Sequence, residues 1–218
     1  MKRLSLLTMM VVAFGGIARA ESPFYVSLFS GWSDVDSYQG EAPPPAINNQ
    51  RIGSFNDGWN LGGALGTSLN HFLRGELEFT YRNNTADTWT VGPIIGPYVT
   101  NDWSGELNSY SGMANLFADF HGLTVCETTP YIGAGLGFTV LDGDFMTPAA
   151  QFEIDDTVFS YQFMVGLTTR LTQHVDLFCE YRYLGTETTI LADPTGVAGA
   201  GAFDYDVDNV LMGLRFNY

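Results

Sequence analysis

Ten consecutive residues, Leu73 to Arg82, alternate in character without a break. At period two, Leu73, Gly75, Leu77, Phe79 and Tyr81 fall on one side, and Arg74, Glu76, Glu78, Thr80 and Arg82 on the other. Such alternation marks a β-strand, whose successive side chains point to opposite faces. A strand with one apolar and one ionic face suits two settings: charges in water over a soluble core, or charges enclosed in a lumen with the apolar side against lipid. The rest of the chain decides between them.

Lys2 and Arg3 precede an apolar run, Leu4 to Ile17, that ends in Ala18-Arg19-Ala20. A basic start, a short apolar segment and an A-x-A site form a secretory signal peptide, residues 1–20, with a mature chain from Glu21 to Tyr218 in one domain. The run is too short for a spanning helix, which needs about 20 apolar residues. Removing Lys2, Arg3 and Arg19 leaves 6 basic residues, all arginine, against 24 acidic, a net charge of −18. A chain this acidic does not hold nucleic acid by neutralising phosphates. No mature segment is long and apolar enough for a transmembrane helix, yet 25 glycines, 14% aromatics and only 15% charged residues mark an all-β chain.

Seven further segments alternate in the same way: Phe24–Trp32, Trp59–Leu69, Asn108–Phe120, Pro130–Val140, Thr157–Leu171, Val175–Leu184 and Val207–Tyr218. Each has the roughly 9–14 residues that a tilted strand needs to cross a bilayer. Asn70-His71-Phe72, Thr172-Gln173-His174 and the stretch His121 to Thr129 make short connections. Ser33–Gly58, Asn83–Leu107, Leu141–Asp156 and Gly185–Asp206 make long ones, read as structureless loops. Structureless loops of that length are uncommon in a compact soluble domain, whereas short turns at one end and long loops at the other describe an outer-membrane barrel. The apolar faces often end in Trp or Tyr, as an interfacial girdle does. A soluble barrel of the lipocalin type would instead carry the ionic set outside. The expected fold is an all-β, eight-stranded antiparallel transmembrane β-barrel with short periplasmic turns and long extracellular loops.

The segments Leu73-Arg74-Gly75-Glu76-Leu77-Glu78-Phe79, Met113 to Phe120, Pro130 to Gly137, Tyr181-Arg182-Tyr183-Leu184 and Gly213 to Tyr218 resemble the small outer-membrane β-barrel proteins of Gram-negative bacteria. The likeness is to the transmembrane domain of OmpA, to OmpX and to Opa-like surface proteins. It implies a scaffold assembled from the periplasm with the help of chaperones and the barrel-assembly machinery, which would read the closing Phe216 and Tyr218. Such proteins commonly end in Phe, and this chain ends in Tyr218. No peptidoglycan-binding segment follows, so no cell-wall tether is expected.

Nine inward charges are the first candidate for function: Arg74, Glu76, Glu78, Arg82, Asp119, Asp176, Glu180, Arg182 and Arg215. An eight-stranded interior is just wide enough to be filled by side chains, so a plug of ion pairs is expected, with a narrow cation-favouring pore as the alternative. Glycines 62, 66, 133, 135, 137, 166 and 213 are expected to make room for those long side chains. His71, His121 and His174 each fall in a periplasmic turn, and nothing in the sequence brings the three turns together. Envelope-lipid enzymes and proteases of this architecture need a histidine near the outer rim, so no catalytic residue, metal or cofactor is assigned. The long connections carry seventeen of the 24 carboxylates and a single basic residue, Arg51. Such a rim attracts cationic partners and meets lipopolysaccharide only through bridging divalent cations. Cys126 in a turn and Cys179 on a strand that is not its neighbour argue against a disulfide. The function expected is a monomeric, closed structural or surface-interaction barrel in contact with outer-membrane lipid.

Overall fold

The computed structural model describes residues 24–41, 49–93, 99–146, 151–191 and 201–218. The signal segment 1–20 lies outside the described residues. The strands are β1 (Phe24–Val35), β2 (Tyr38–Glu41), β3 (Asn49–Phe55), β4 (Gly58–Ser68), β5 (Leu73–Pro93), β6 (Val99–Asp102) and β7 (Ser104–Asp119). They continue as β8 (Thr128–Met146), β9 (Gln151–Arg170), β10 (Val175–Thr186), β11 (Thr189–Leu191), β12 (Gly201–Phe203) and β13 (Val207–Asn217). Eight of these close a ring in the order β1-β4-β5-β7-β8-β9-β10-β13 and back to β1, every pair antiparallel. Closure leaves the barrel wall without a free edge, so its backbone groups are paired even where lipid surrounds them.

The alternating faces stand as the sequence predicts. Leu77, Leu65, Leu136, Val165 and Met212 are among the outward apolar residues more than half exposed, while Arg74, Glu78, Arg82, Glu180 and Arg182 are buried inside. The apolar belt runs from Phe24, Leu69, Phe120 and Leu171 at the turn end to Trp32, Trp59, Tyr81, Tyr110 and Tyr181 at the other. Neighbouring girdle rings touch, Trp59–Tyr81 at 5.2 Å and Tyr81–Tyr110 at 5.1 Å between centroids. One step beyond Trp32, Trp59, Tyr81 and Tyr110 lies a polar residue, Asp34, Asp57, Asn83 or Asn108, and the Tyr181 hydroxyl donates to Asp208. That switch marks the upper edge of the hydrocarbon layer. No helix among the described residues is long and apolar enough to cross a membrane; the strands make the crossing.

The long connections are not structureless. Strand β9 has 20 residues, which at about 3.4 Å per residue and a tilt near 40° spans about 50 Å, twice the ~25 Å of an apolar barrel band. The β5–β6, β8–β9, β2–β3 and β11–β12 hairpins carry the wall upward, and β3 and β6 flank the upper part of β5. Within the Gly185–Asp206 connection, read as structureless, residues Thr189–Leu191 and Gly201–Phe203 form β11 and β12. The physical reason is a second core. Trp89, Trp103, Leu107, Leu141, Phe145, Phe152, Ile154, Phe203 and Tyr205 are buried inside this extension, in a crown that stands above the girdle. Their apolar burial pays the ordering cost of the hairpins.

Both cysteines are free and exposed, Cys126 at the φ 51° position of the β7–β8 turn and Cys179 on the outward face of β10.

Candidate functional site

Each inward aromatic ring in the lower half of the lumen lies opposite a glycine on the neighbouring strand. Phe29 faces Gly62, Tyr25 faces Gly66, Phe117 faces Gly133, Tyr131 faces Gly166 and Phe178 faces Gly213. A methyl group at any of these glycines would collide with the ring that covers it. The glycines therefore make room for aromatic rings and not, as expected from the sequence, directly for the charged chains. The arginines then lie on the rings: Arg74 over Phe117 and Tyr131 at 4.1 and 4.8 Å, Arg182 over Phe29 at 5.2 Å, and Arg215 over Tyr25 and Phe178 at 5.0 and 5.7 Å. A guanidinium on a ring face keeps part of its electrostatic stabilisation when water is excluded.

The charges form three tiers. In the lowest, Arg74 Nε donates to both Asp119 oxygens at 3.0 and 2.9 Å, and Nη1 donates to Glu76 Oε1 at 2.7 Å. The Tyr25 hydroxyl also donates to Glu76, at 2.8 Å. In the middle tier, Arg182 bridges two carboxylates from different strands: Nη1 donates to Glu78 Oε1, and Nη2 to Glu180 Oε1 at 2.7 Å. Tyr131 Oη donates to the other oxygen of Glu180, and Asn115 Nδ2 to the other oxygen of Glu78. In the top tier, Arg82 donates to Asn209 Oδ1 at 3.1 Å and Ser111 Oγ at 2.9 Å, with no carboxylate within 4.0 Å among the described residues. Above it, Ser109 and Tyr205 share a hydrogen bond at 2.9 Å, where the apolar crown begins.

Of the nine inward charges, six are joined by hydrogen-bonded ion pairs, Arg215 and Asp176 stand 4.0 Å apart, and Arg82 has no carboxylate within that distance among the described residues. The interior between the Arg74 tier and the crown core holds a void of about 10 Å³, beside Ser27, Arg74, Glu180 and Arg215. That is room for about one water molecule. A plug of this kind, roofed by packed aromatic rings such as Trp103 and Phe145 at 4.8 Å, fills this part of the described lumen with side chains.

Below the plug the barrel opens. A cavity of about 1460 Å³ at the turn end is lined by Arg74, Asp119, Arg170, Asp176, Arg215 and Asn217, and by all three histidines. The three turns, treated as separate in the sequence, thus share one mouth because they close adjacent hairpins of a narrow ring. No group of three or more ligating side chains able to hold a metal occurs among the described residues. Phe216 and Tyr218 lie on the outward parity of β13 and just beyond it, and the Tyr218 amide donates to Phe24 O at 3.3 Å.

The outer surface of the crown is acidic in a regular way. Glu106, Asp144 and Glu153 stand directly opposite one another across β7, β8 and β9, and Asp142 stands opposite Asp155 one step lower. Asp34 faces Asp208 across β1 and β13. Partial burial, and after it repulsion from Asp57, Asp36 and Asp208, pushes the Asp34 carboxyl above its ordinary value. Burial does the same to Asp206, opposed by its hydrogen bond from Tyr183.

Periodicity found the inward charges but missed three features: the inward rings, the crown core, and the pairing of Arg170 and Asn217 with Asp176. Each needs cross-strand register, which a single strand does not carry. The signal that was present is the placement of Phe29, Phe117, Phe178 and Tyr131 on the otherwise small or ionic faces.

Comparison with curated protein sequences gives no match. Among solved structures, the chain is similar to Neisserial surface protein A (18% identity, TM-score 0.56, covering 90% of this chain and 98% of that one). It is similar to OprG from Pseudomonas aeruginosa (13%, 0.59, 91% and 98%) and to the outer membrane protease OmpT from Escherichia coli (9%, 0.53, 93% and 99%). At such identities the likeness is one of fold, and a fold that includes a protease decides no activity. Residues 4–217 match the family model described as outer membrane protein beta-barrel domain. With the closed ring, the lipid-facing belt and the aromatic girdle in place, the chain belongs to the outer membrane protein beta-barrel domain family.

Proposed function

We propose that this outer-membrane barrel is a closed, non-enzymatic scaffold that presents an acidic surface to cationic partners outside the cell. The observation that carries this reading is the row Glu106–Asp144–Glu153, three carboxylates directly opposite one another on adjacent strands. Like charges in that position cost stability, and an ordinary solvated surface intersperses both signs. A rigid crown filled by its own core holds the row in a fixed geometry, which suits recognition and not simple solvation. The closed lumen supports a role at the surface over one in conduction. The three histidines lie at the opposite end, so the crown has no imidazole to serve as a base.

Export through residues 1–20, assembly through Phe216 and Tyr218, existence as a monomer, and contact with lipopolysaccharide through divalent cations belong to the same proposal. The test is adsorption of polylysine to vesicles carrying the refolded barrel. Binding is expected to weaken steeply with salt and to fall when Asp142, Asp144, Glu153 and Asp155 are changed to their amides. Equal adsorption by the parent and the amide variant would overturn the reading.

A further inference from the structure

The cavity at the turn end gathers three arginines against three carboxylates, Asp119, Glu127 and Asp176, where the chain as a whole is strongly acidic. In a mature chain with 24 acidic and 6 basic residues, three of the six arginines, Arg74, Arg170 and Arg215, line this one opening. They are not equally satisfied. Arg74 has carboxylates of both Asp119 and Glu76 in hydrogen-bond range, and only its Nη2 is buried without a partner among the described residues. Arg215 has none among the described residues: its nearest carboxylate oxygen, Asp176 Oδ2, is 4.0 Å from Nη1, its Nε is buried without a partner, and its side chain is only 9% exposed. That same Asp176 oxygen accepts the Asn217 amide at 2.9 Å, and its other oxygen stands 3.8 Å from Arg170 Nε. One carboxylate therefore lies between two guanidiniums and hydrogen-bonds to neither. The Thr168 hydroxyl, another wall group, is buried and also unpartnered.

A guanidinium offers a rigid fork of donors matched to the paired oxygens of a carboxylate or phosphate. We propose that Arg215 and Arg170 form a receptor for one oxyanion group, phosphate or carboxylate, entering from the periplasm. Arg215 supplies the desolvated contact, its guanidinium lying over the Tyr25 and Phe178 rings. Arg170, 68% exposed at the rim, supplies a mobile second contact. The cavity is far larger than either group, so the oxyanion is the tip of a larger molecule. The site lies at the far end of the barrel from the acidic crown and does not depend on what the crown binds.

The test follows the side-chain Nε–H signals of the arginines by NMR in the refolded chain in detergent micelles. Sodium phosphate and, separately, sodium acetate are titrated against chloride at constant ionic strength. The expected result is a saturable shift confined to Arg215 and Arg170, half complete at millimolar oxyanion or below, weakened several-fold in R170Q and abolished in R215Q. Saturation by phosphate alone assigns a phosphoryl-bearing ligand, and saturation by acetate as well assigns a carboxylate-bearing one. Arg170 is exposed, so R170Q keeps the test decisive even if R215Q does not refold. Shifts that never saturate, that spread equally over all arginines, or that are unchanged in R170Q would overturn the proposal.

Discussion

Replacing Arg182 with methionine probes the plug where it is tightest. The side chain is 2% exposed and lies between Glu78 and Glu180, whose side chains are 0% and 2% exposed. Methionine keeps much of the length and removes the charge, leaving two buried carboxylates without the cation that joins them. Removing one partner of a buried pair costs about 3–5 kcal/mol, and losing the stacking over Phe29 adds roughly 0.5–2 kcal/mol. The expected destabilisation is about 5 kcal/mol, read as a shift in urea unfolding in lipid vesicles by tryptophan fluorescence. The triple variant E78Q/R182M/E180Q removes both orphaned charges and is expected to regain most of that loss, to within about 1.5 kcal/mol of the parent, because a neutral interior of similar volume is commonly as stable as a buried pair. A loss below about 1 kcal/mol in R182M, or a triple variant weaker than the single one, would refute the reasoning that these groups are desolvated and mutually compensating.

Leu77→Arg or Leu167→Arg places a charge on the lipid face near mid-belt, and a loss of about 2–4 kcal/mol is expected in the same unfolding assay; a neutral effect would mean that face is not in lipid. Phe145→Ala removes a ring 1% exposed in the crown core, at a cost of about 3–5 kcal/mol. It should make the crown protease-sensitive while the membrane barrel still migrates as folded on unheated gels. For Asp34, raised in the folded crown by burial and by its acidic neighbours, the unfolded chain ionises at lower pH than the folded one. Its contribution to stability therefore falls as pH rises through that window, and Asp34→Asn should raise the urea midpoint at pH 7. The advantage over the parent should vanish near pH 4, where carboxylates take up protons at about their ordinary values; an advantage that is independent of pH would contradict this.

The barrel was legible in the sequence because its two solvents are so different. Lipid demands an apolar residue at every second position, so Leu73 to Arg82 and the seven segments like it read out strand and face within the membrane belt without any partner strand. The inward charges came with them, by parity alone. The crown was not legible, because above the girdle the rule inverts. Outward positions become acidic, as at Asp142 and Asp155, while inward ones become Leu141, Phe145 and Ile154. Read strand by strand, that looks like the end of a strand followed by polar loop. The glycine–ring–arginine stacking was hidden for a related reason: Gly62 and Phe29 are far apart in sequence and meet only through the β1–β4 register.

The most direct test of a closed barrel is single-channel recording of the refolded chain in a planar bilayer, with folding verified by the gel shift between unheated and boiled samples. A lumen filled from the Arg74 tier to the Trp103 layer predicts no discrete conductance steps from the folded protein. Reproducible cation-selective steps from that same folded material would contradict it and make the inward charges the lining of a pore.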